Sequence, residues 1–354
     1  MKINIIINLP IVLLGLAISF IACREQRPVT YKLKQVAQSS ELWTGVAVSK
    51  EGRIFVNYPR WTGAEKTSVA EIISSGVPRP FPNEIWNRWD ASLSPKEHFV
   101  CVQSVYVDDE DNLWILDPAN ALMRGVVKGG AKLVRVDLRT NQVVQKVLFD
   151  ETVAPSSSYL NDVRVDTKKQ FAYITDSGEG AIVVVNLATG QARRALYSHL
   201  STRAEETTFT VEGVTLRAKI NSDGLALDPR REYLYYQALT SRSLYRIKTE
   251  SLQDFSLSEL QLAEKVEFVA KTGVADGIEF DRDGNLYLTS LEYNAIRQYT
   301  PAGKIEIVVQ DSALKWPDSF SITADGGIYV TTSQLHLGSS RNQPYQIFKL
   351  QEMD

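Results

Sequence analysis

Three aspartates, Asp223, Asp276 and Asp318, each stand at the head of a short alternating apolar segment: DGLAL, DGIEF and DSFSI. Asn161 stands in the same way before DVRV, Gln103 before SVYV and Thr44 before GVAV. If these segments converge, Thr44, Gln103, Asn161, Asp223, Asp276 and Asp318 become one ring of polar, ligand-binding candidates. Carboxylates crowded in a partly desolvated site must hold a proton, bind a cation or meet a positively charged ligand. Asp223 and Asp276 are the candidates for proton transfer. Oxygen-only ligands favour a hard ion such as Ca²⁺ or Mg²⁺, and Asn161 with Asp223 is the candidate pair for it. Each Asp also has a structural reading, since Asp before Gly caps a loop through backbone N–H groups.

Other chemistries lack their residues. The run Asp281 to Asn285, DRDGN, resembles the start of a calcium loop. A strand-like NLYLTS crosses the middle of that loop, and the helices of an EF-hand are absent. It reads as a turn. Three histidines (His98, His199, His336) and two cysteines leave little for a multi-histidine or thiolate centre. No Gly-x-Ser-x-Gly elbow and no phosphate loop between a strand and a helix are found. A net charge of −3 carries no basic footprint for nucleic acid. His199 is expected to be a packing or surface residue; for His336, after the second strand of the last blade, a reach into the channel is the less favoured alternative. Cys101, in HFVCVQSVYV, is expected to be a buried inert thiol.

The elements that would position the ring repeat along the chain. TGVAVSKEGRIFVNY (44–58), QSVYVDDEDNLWILD (103–117), NDVRVDTKKQFAYITD (161–176), DGLALDPRREYLYYQ (223–237), DGIEFDRDGNLYLTS (276–290) and DSFSITADGGIYVTT (318–332) share one plan. A polar residue opens each, then come a strand, a polar turn and a second strand rich in aromatic and β-branched residues. Third strands follow as KLVRVDL, AIVVVNL, SLYRIKT, AIRQYT and YQIFKL, and fourth strands as QVVQKVLF, QARRALY and KVEFVAK. Repeats at this spacing predict an all-β, six-bladed β-propeller over residues 41–352. YKLKQVAQ (31–38) has no blade of its own. It is expected to add the outer strand of the last blade, closing the ring and covering an open edge.

Residues 1–22 combine Lys2, an apolar run and small residues before Cys23, the pattern of a lipoprotein-type signal peptide. A plain signal peptide and an uncleaved anchor are the alternatives. Lipidation of Cys23 would leave residues 23–40 as tether and closing strand and place the protein on the cell envelope. The membrane would then be met only through the lipidated end. A monomer binding a small molecule, without nucleic acid, is expected.

Several segments resemble one family. HFVCVQSVYVDDEDNLWILD, YITDSGEGAIVVVNLATGQARR and INSDGLALDPRREYLYYQALTSRSLYRIKTESLQD are similar to the major royal jelly protein / Yellow family, as are YPRWTGAEKTSVAEI and PRPFPN. The resemblance, over residues 40 to 335, implies a secreted six-bladed propeller. It also implies a channel that binds small amines in some members and a link to dopachrome conversion in others. LDPANA and the missing cysteine pair depart from the family pattern. A more distant resemblance is to the regucalcin–gluconolactonase propellers. It implies a divalent ion held by a Glu, an Asn and an Asp, with the Asp as general base. Asn161-Asp162 and Asp223-Gly224 match that pattern, whereas Thr44-Gly45 stands where its Glu-Gly would be. Three functions follow as expectations. The first is an exported propeller binding a small ring-bearing or carbonyl ligand, with an isomerase-type conversion. The others are a metal-dependent lactonase and a non-catalytic envelope interaction module. Arg60, Trp61, Trp86 and Trp89 are expected to anchor loops onto blade one.

Overall fold

The computed structural model describes residues 31–73 and 76–353. The segment that contains Cys23 lies outside them. Among the described residues no helix is long and apolar enough to cross a membrane.

Six four-stranded antiparallel sheets follow one another along the chain, and one two-stranded hairpin is added. The inner strands are Val46–Val48, Ser104–Val107, Leu160–Asp166, Ser222–Leu227, Ala275–Phe280 and Pro317–Ile322. In each sheet the order from the axis outward follows the sequence, except in the last. There the order is Pro317–Ile322, Ile328–Thr332, Tyr345–Glu352 and then Tyr31–Ser39 from the other end of the chain. Tyr31 pairs with Glu352 and Ser39 with Tyr345. The expected ring closure is therefore present, and the protein is a six-bladed β-propeller.

The turns are those the sequence marks. Asn141, Gly190 and Gly303 take positive φ between third and fourth strands. In the DRDGN turn the Asp281 carboxylate accepts from the backbone N–H of Asp283 (2.9 Å) and of Asn285 (2.8 Å). Its oxygens are spent on the turn, as the repeat alignment predicts.

Between blades the core is apolar, but two carboxylates are fully buried at the ends of second strands. Asp117 accepts from Lys132 Nζ at 2.7 Å and from the backbone N–H groups of Val100, Cys101 and Ala119. Asp176 accepts from Arg194 (2.7 Å), Ser158 (2.8 Å) and Tyr159 N–H (2.8 Å). These are the aspartates of WILD and YITD, which hold the start of their own blade. Arg60 and Trp86 hold loops beside blade one, whereas Trp61 donates to Tyr159 of blade three and Trp89 packs between blades two and three. Arg60 donates to the carbonyls of Phe99 and Asn87, and the Trp86 and Phe99 rings lie 5.0 Å apart. Cys101 is buried and burial pushes its thiol up, as expected of an inert cysteine.

Removing residues 31–39 would bare the edge of Tyr345–Glu352. The expected outcome is a lower, less cooperative melting transition by circular dichroism. An unchanged melt would show that the two chain ends do not close the ring.

Candidate functional site

The Asp-Gly pairs sit on a repeated irregularity. In blades three to six the inner strand places two residues opposite one on the second strand: Asn161-Asp162 against Thr175, Asp223-Gly224 against Gln237, Asp276-Gly277 against Thr289, and Asp318-Ser319 against Thr331. Such a β-bulge bends the strand and re-aims its side chains. The facing residue fills the gap. Thr175 Oγ1 accepts from Asp162 N–H (3.0 Å), Thr289 Oγ1 from Asp276 and Gly277 N–H (both 3.0 Å), and Thr331 Oγ1 from Ser319 N–H (3.1 Å). Two of these hydroxyls pass the bond on to the next blade. Thr175 donates to the carbonyl of Asp223 (2.5 Å) and Thr331 to that of Thr44 (2.6 Å). In blade one Asn57 plays the same part, accepting from Gly45 N–H (2.9 Å) and donating to the Gln103 carbonyl (2.9 Å).

The glycines have a related reason. A Cβ on Gly224 would collide with the Asp276 carbonyl, and one on Gly277 with the Asp318 carbonyl. Adjacent inner strands approach too closely there for a side chain.

Asp223, Asp276 and Asp318 are all buried, and the structure brings them into mutual electrostatic contact. Burial pushes Asp276 up to about 7, with Asp162 adding to it, while hydrogen bonds from Trp316 and Asp223 work the other way. Trp316 Nε1 donates to Asp276 Oδ2 at 2.7 Å. Asp223 is raised well above the carboxylate range by burial first, then by Asp276, Asp162 and Asp318. Asp318 is raised by burial and then by Asp276. Asp223 and Asp276 act on each other's titration, so they titrate as a pair.

The remaining members of the ring behave differently. Thr44 spends its hydroxyl on the Gln103 carbonyl (3.0 Å) and on Asn57 Nδ2 (2.8 Å). Gln103 Oε1 accepts from the Tyr159 hydroxyl (2.8 Å), which in turn accepts from Trp61 Nε1 (2.6 Å). Both side chains are thereby committed to the framework. In blade three Asn161 is buried, and its neighbour Asp162 adds its charge to the aspartates. Among the described residues no set of three or more His, Cys, Asp or Glu side chains is arranged to hold a metal ion. Relative to a regucalcin-type shell, the blade-one Glu is replaced by Thr44, whose hydroxyl is already hydrogen-bonded.

A hairpin packs beside Trp316 at this mouth. The hairpin Thr208–Val211 and Val214–Arg217 is inserted between blades three and four. Its Phe209 lies 5.6 Å from the Trp316 ring, and His336 stacks on the same indole at 6.1 Å. Glu212, at the hairpin tip, pairs with Lys315 (3.0 Å) and with His336 Nε2 (2.9 Å). Burial works against its charge, but the bonds from His336 and Lys315 hold it below the usual carboxylate range. His336 is thus one indole away from Asp276. His199 makes a local cap with Ser201 (2.8 Å), the packing role expected of it. Ser222 Oγ, Gln334 Oε1 and His336 Nδ1 are buried without a protein partner.

The sequence profile of major royal jelly proteins matches residues 100–353. The chain belongs to the major royal jelly protein family. It is 26% identical over 221 residues to major royal jelly protein 1 of Apis mellifera, covering 57% of this chain and 49% of the bee protein. Identity to major royal jelly protein 8 of the same species is 26% over 209 residues, covering 55% and 47%. The chain thus spans about half the length of these relatives. Among solved structures, a gluconolactonase from Xanthomonas campestris aligns with TM-score 0.58 at 12% identity, over 93% of this chain and 96% of the other. The calcium-binding protein regucalcin from Agrobacterium tumefaciens aligns with TM-score 0.56 at 15% identity, over 90% and 94%. At such identities the likeness is one of fold.

Two outcomes follow. Gly277→Ala should cost ~1–3 kcal/mol or more in urea unfolding, because the Asp318 backbone cannot yield; a neutral substitution would show that the strands have room. For Asp276 the folded carboxyl keeps its proton to about pH 7, above the unfolded value. Its contribution to stability is therefore lost as pH rises from the unfolded value towards about 7. Asp276→Asn should flatten the stability–pH curve in that window, by a few kcal/mol at most. Identical curves would contradict a raised Asp276.

Proposed function

We propose that this protein is an exported propeller of the Yellow type. It binds a small ring-bearing or carbonyl compound at the Asp223–Asp276 mouth and moves a proton on it. The observation that supports this reading is the buried pair of Asp223 and Asp276, both raised above the carboxylate range and Asp276 to about 7. One carboxylate can remove a proton from the ligand while its protonated partner returns one elsewhere, the requirement of an isomerisation by proton shuttling. Trp316 fixes the Asp276 carboxylate through Oδ2. The hairpin that carries Glu212 covers the same mouth and would limit water there. His336 Nδ1, beside the indole that bonds Asp276, has no partner among the described residues and offers a further contact to a polar ligand. The leader ending at Cys23 fits export and lipid anchoring on the envelope.

A lactonase of the gluconolactonase kind is the second reading, favoured by the fold likeness and by Asn161 and Asp223. A bound Ca²⁺ or Mg²⁺ would polarise the lactone carbonyl.

Binding and turnover of aromatic amines and quinones by EDTA-treated protein test the proposal. Activity should follow a group titrating at about 7 and fall by roughly a hundredfold or more in Asp223→Asn and Asp276→Asn. Lactone hydrolysis that needs an added divalent ion, with no response to amines or quinones, would replace it with the lactonase reading.

A further inference from the structure

Asp223, Asp276 and Asp318 are buried, so a ligand reaches them only when part of the mouth moves. Two elements from distant parts of the chain lie over that mouth, and they are held in different ways. The first is the hairpin Thr208–Val211 and Val214–Arg217. Its Phe209 and Val211 are buried against Val274, Leu291 and Trp316. Its tip is tied to blades five and six, because Glu212 meets Asn294 (3.0 Å), Lys315 (3.0 Å) and His336 (2.9 Å). Lifting it would bare two apolar side chains and break three polar contacts at once.

The second is the connection 58–68, between the second and third strands of blade one, Ile54–Asn57 and Val69–Ile72. Its base is fixed. Arg60 donates to the Phe99 carbonyl (2.6 Å) and to Ser68 Oγ (2.6 Å), and its own carbonyl accepts from Leu122 N–H (2.9 Å). Its tip is folded on itself. The Glu65 carboxylate accepts from Thr62 N–H (3.1 Å), Thr62 Oγ1 (2.7 Å) and Gly63 N–H (2.9 Å). Trp61 reaches from this loop towards the ring. Its indole is only part-buried and belongs to none of the apolar clusters formed by the described residues. It is held by the bond from Nε1 to the Tyr159 hydroxyl, at 2.6 Å. Tyr159 is the layer beneath. It is buried, and its hydroxyl donates to Oε1 of Gln103, a ring residue, at 2.8 Å. Burial raises that hydroxyl well above its ordinary range, and Asp223 is among the groups that add to this. From solvent inward the order is therefore Trp61, Tyr159, then Gln103 and Asp223.

We propose that Trp61 and Tyr159 form the gate of the carboxylate mouth. The indole swings out, the Tyr159 ring follows, and a ligand passes to Asp223 and Asp276 while the hairpin stays in place. One hydrogen bond holds a part-buried indole outside any apolar cluster, so this side opens more readily than the hairpin. The space an indole vacates is that of one flat ring system, which selects for such ligands. Opening also frees Gln103 Oε1 to accept from the ligand in place of Tyr159. The gate rests on the reading that this mouth takes a ligand, but its movement is measurable without one.

A water-soluble carbodiimide, with glycinamide as the capturing amine, measures that movement. The reagent attacks protonated carboxyls. At about pH 6 Asp276, raised to about 7, keeps its proton, whereas exposed carboxylates are mostly ionised. Coupling at Asp223 and Asp276 is followed in time by peptide mass mapping, with circular dichroism to confirm the fold of each variant. It should be slow in the wild-type protein. Trp61→Ala should speed it roughly tenfold or more, as expected for losing one hydrogen bond that holds the closed form. Tyr159→Phe, which keeps the ring, should speed it less, and Glu212→Gln, which weakens the hairpin tip, should leave it unchanged. Equal rates in Trp61→Ala and wild type, or acceleration in Glu212→Gln alone, would overturn the proposal. Fast coupling in the wild type would overturn it too, since the mouth would then stand open. The expected coupling pattern without any turnover of amines or quinones would support the gate and count against the proposed function instead.

Discussion

The structure depends on how closely its inner strands approach one another at one end of the channel. There the backbone carbonyl of one blade occupies the space where the preceding blade's glycine would carry a side chain, at Gly224 and Gly277. Hydroxyls of Thr175 and Thr331 bridge the same gap. A buried carbonyl without a partner would cost roughly 1–3 kcal/mol. The threonines therefore satisfy the backbone as well as setting the spacing. The bulge that admits them also turns Asp223, Asp276 and Asp318 towards one another. Framework and site arise from the same local geometry.

That geometry has an electrostatic consequence. Carboxyl groups that cannot retreat to water and have no cation beside them keep protons that exposed aspartates would lose. Elsewhere several buried carboxylates are matched by a cation: Asp117 by Lys132, Asp176 by Arg194, Glu279 by Arg164. Asp108 is held instead by the N–H groups of its turn and of Trp114, whereas the trio at the mouth lies carboxyl against carboxyl. Trp316 offers Asp276 a neutral N–H, and all three carboxyls are raised by burial and by neighbouring carboxyls. An acidic cluster of this kind is where proton transfer or ligand binding is to be sought.

Much of this was legible in the sequence, and the reasons for the gaps are physical. Alternation and turn chemistry gave the blades, and the unpaired YKLKQVAQ gave the closing strand. Alignment of repeats separated Asp283-Gly284, a turn, from Asp276-Gly277, a member of the ring. What alignment could not show was which neighbours each ring residue meets. Thr44 and Gln103 share the column with the aspartates but are drawn into framework bonds by Asn57 and Tyr159. Thr175, Thr289 and Thr331 read as ordinary strand residues, although their recurrence at one place in YITD, LYLTS and IYVTT was a usable signal. Trp316 and Glu212 lie outside the repeat, so their approach to Asp276 and His336 follows only from folding.

The central claim is that the Asp223 and Asp276 pair keeps a proton when the protein is folded at neutral pH. Infrared difference spectroscopy across the titration of Asp276, at about 7, tests it most directly. A protonated-carboxyl stretching band should be present near neutrality, shift as the pair titrates, and be altered in both Asp223→Asn and Asp276→Asn. A spectrum with only ionised carboxylates near neutrality would contradict the account.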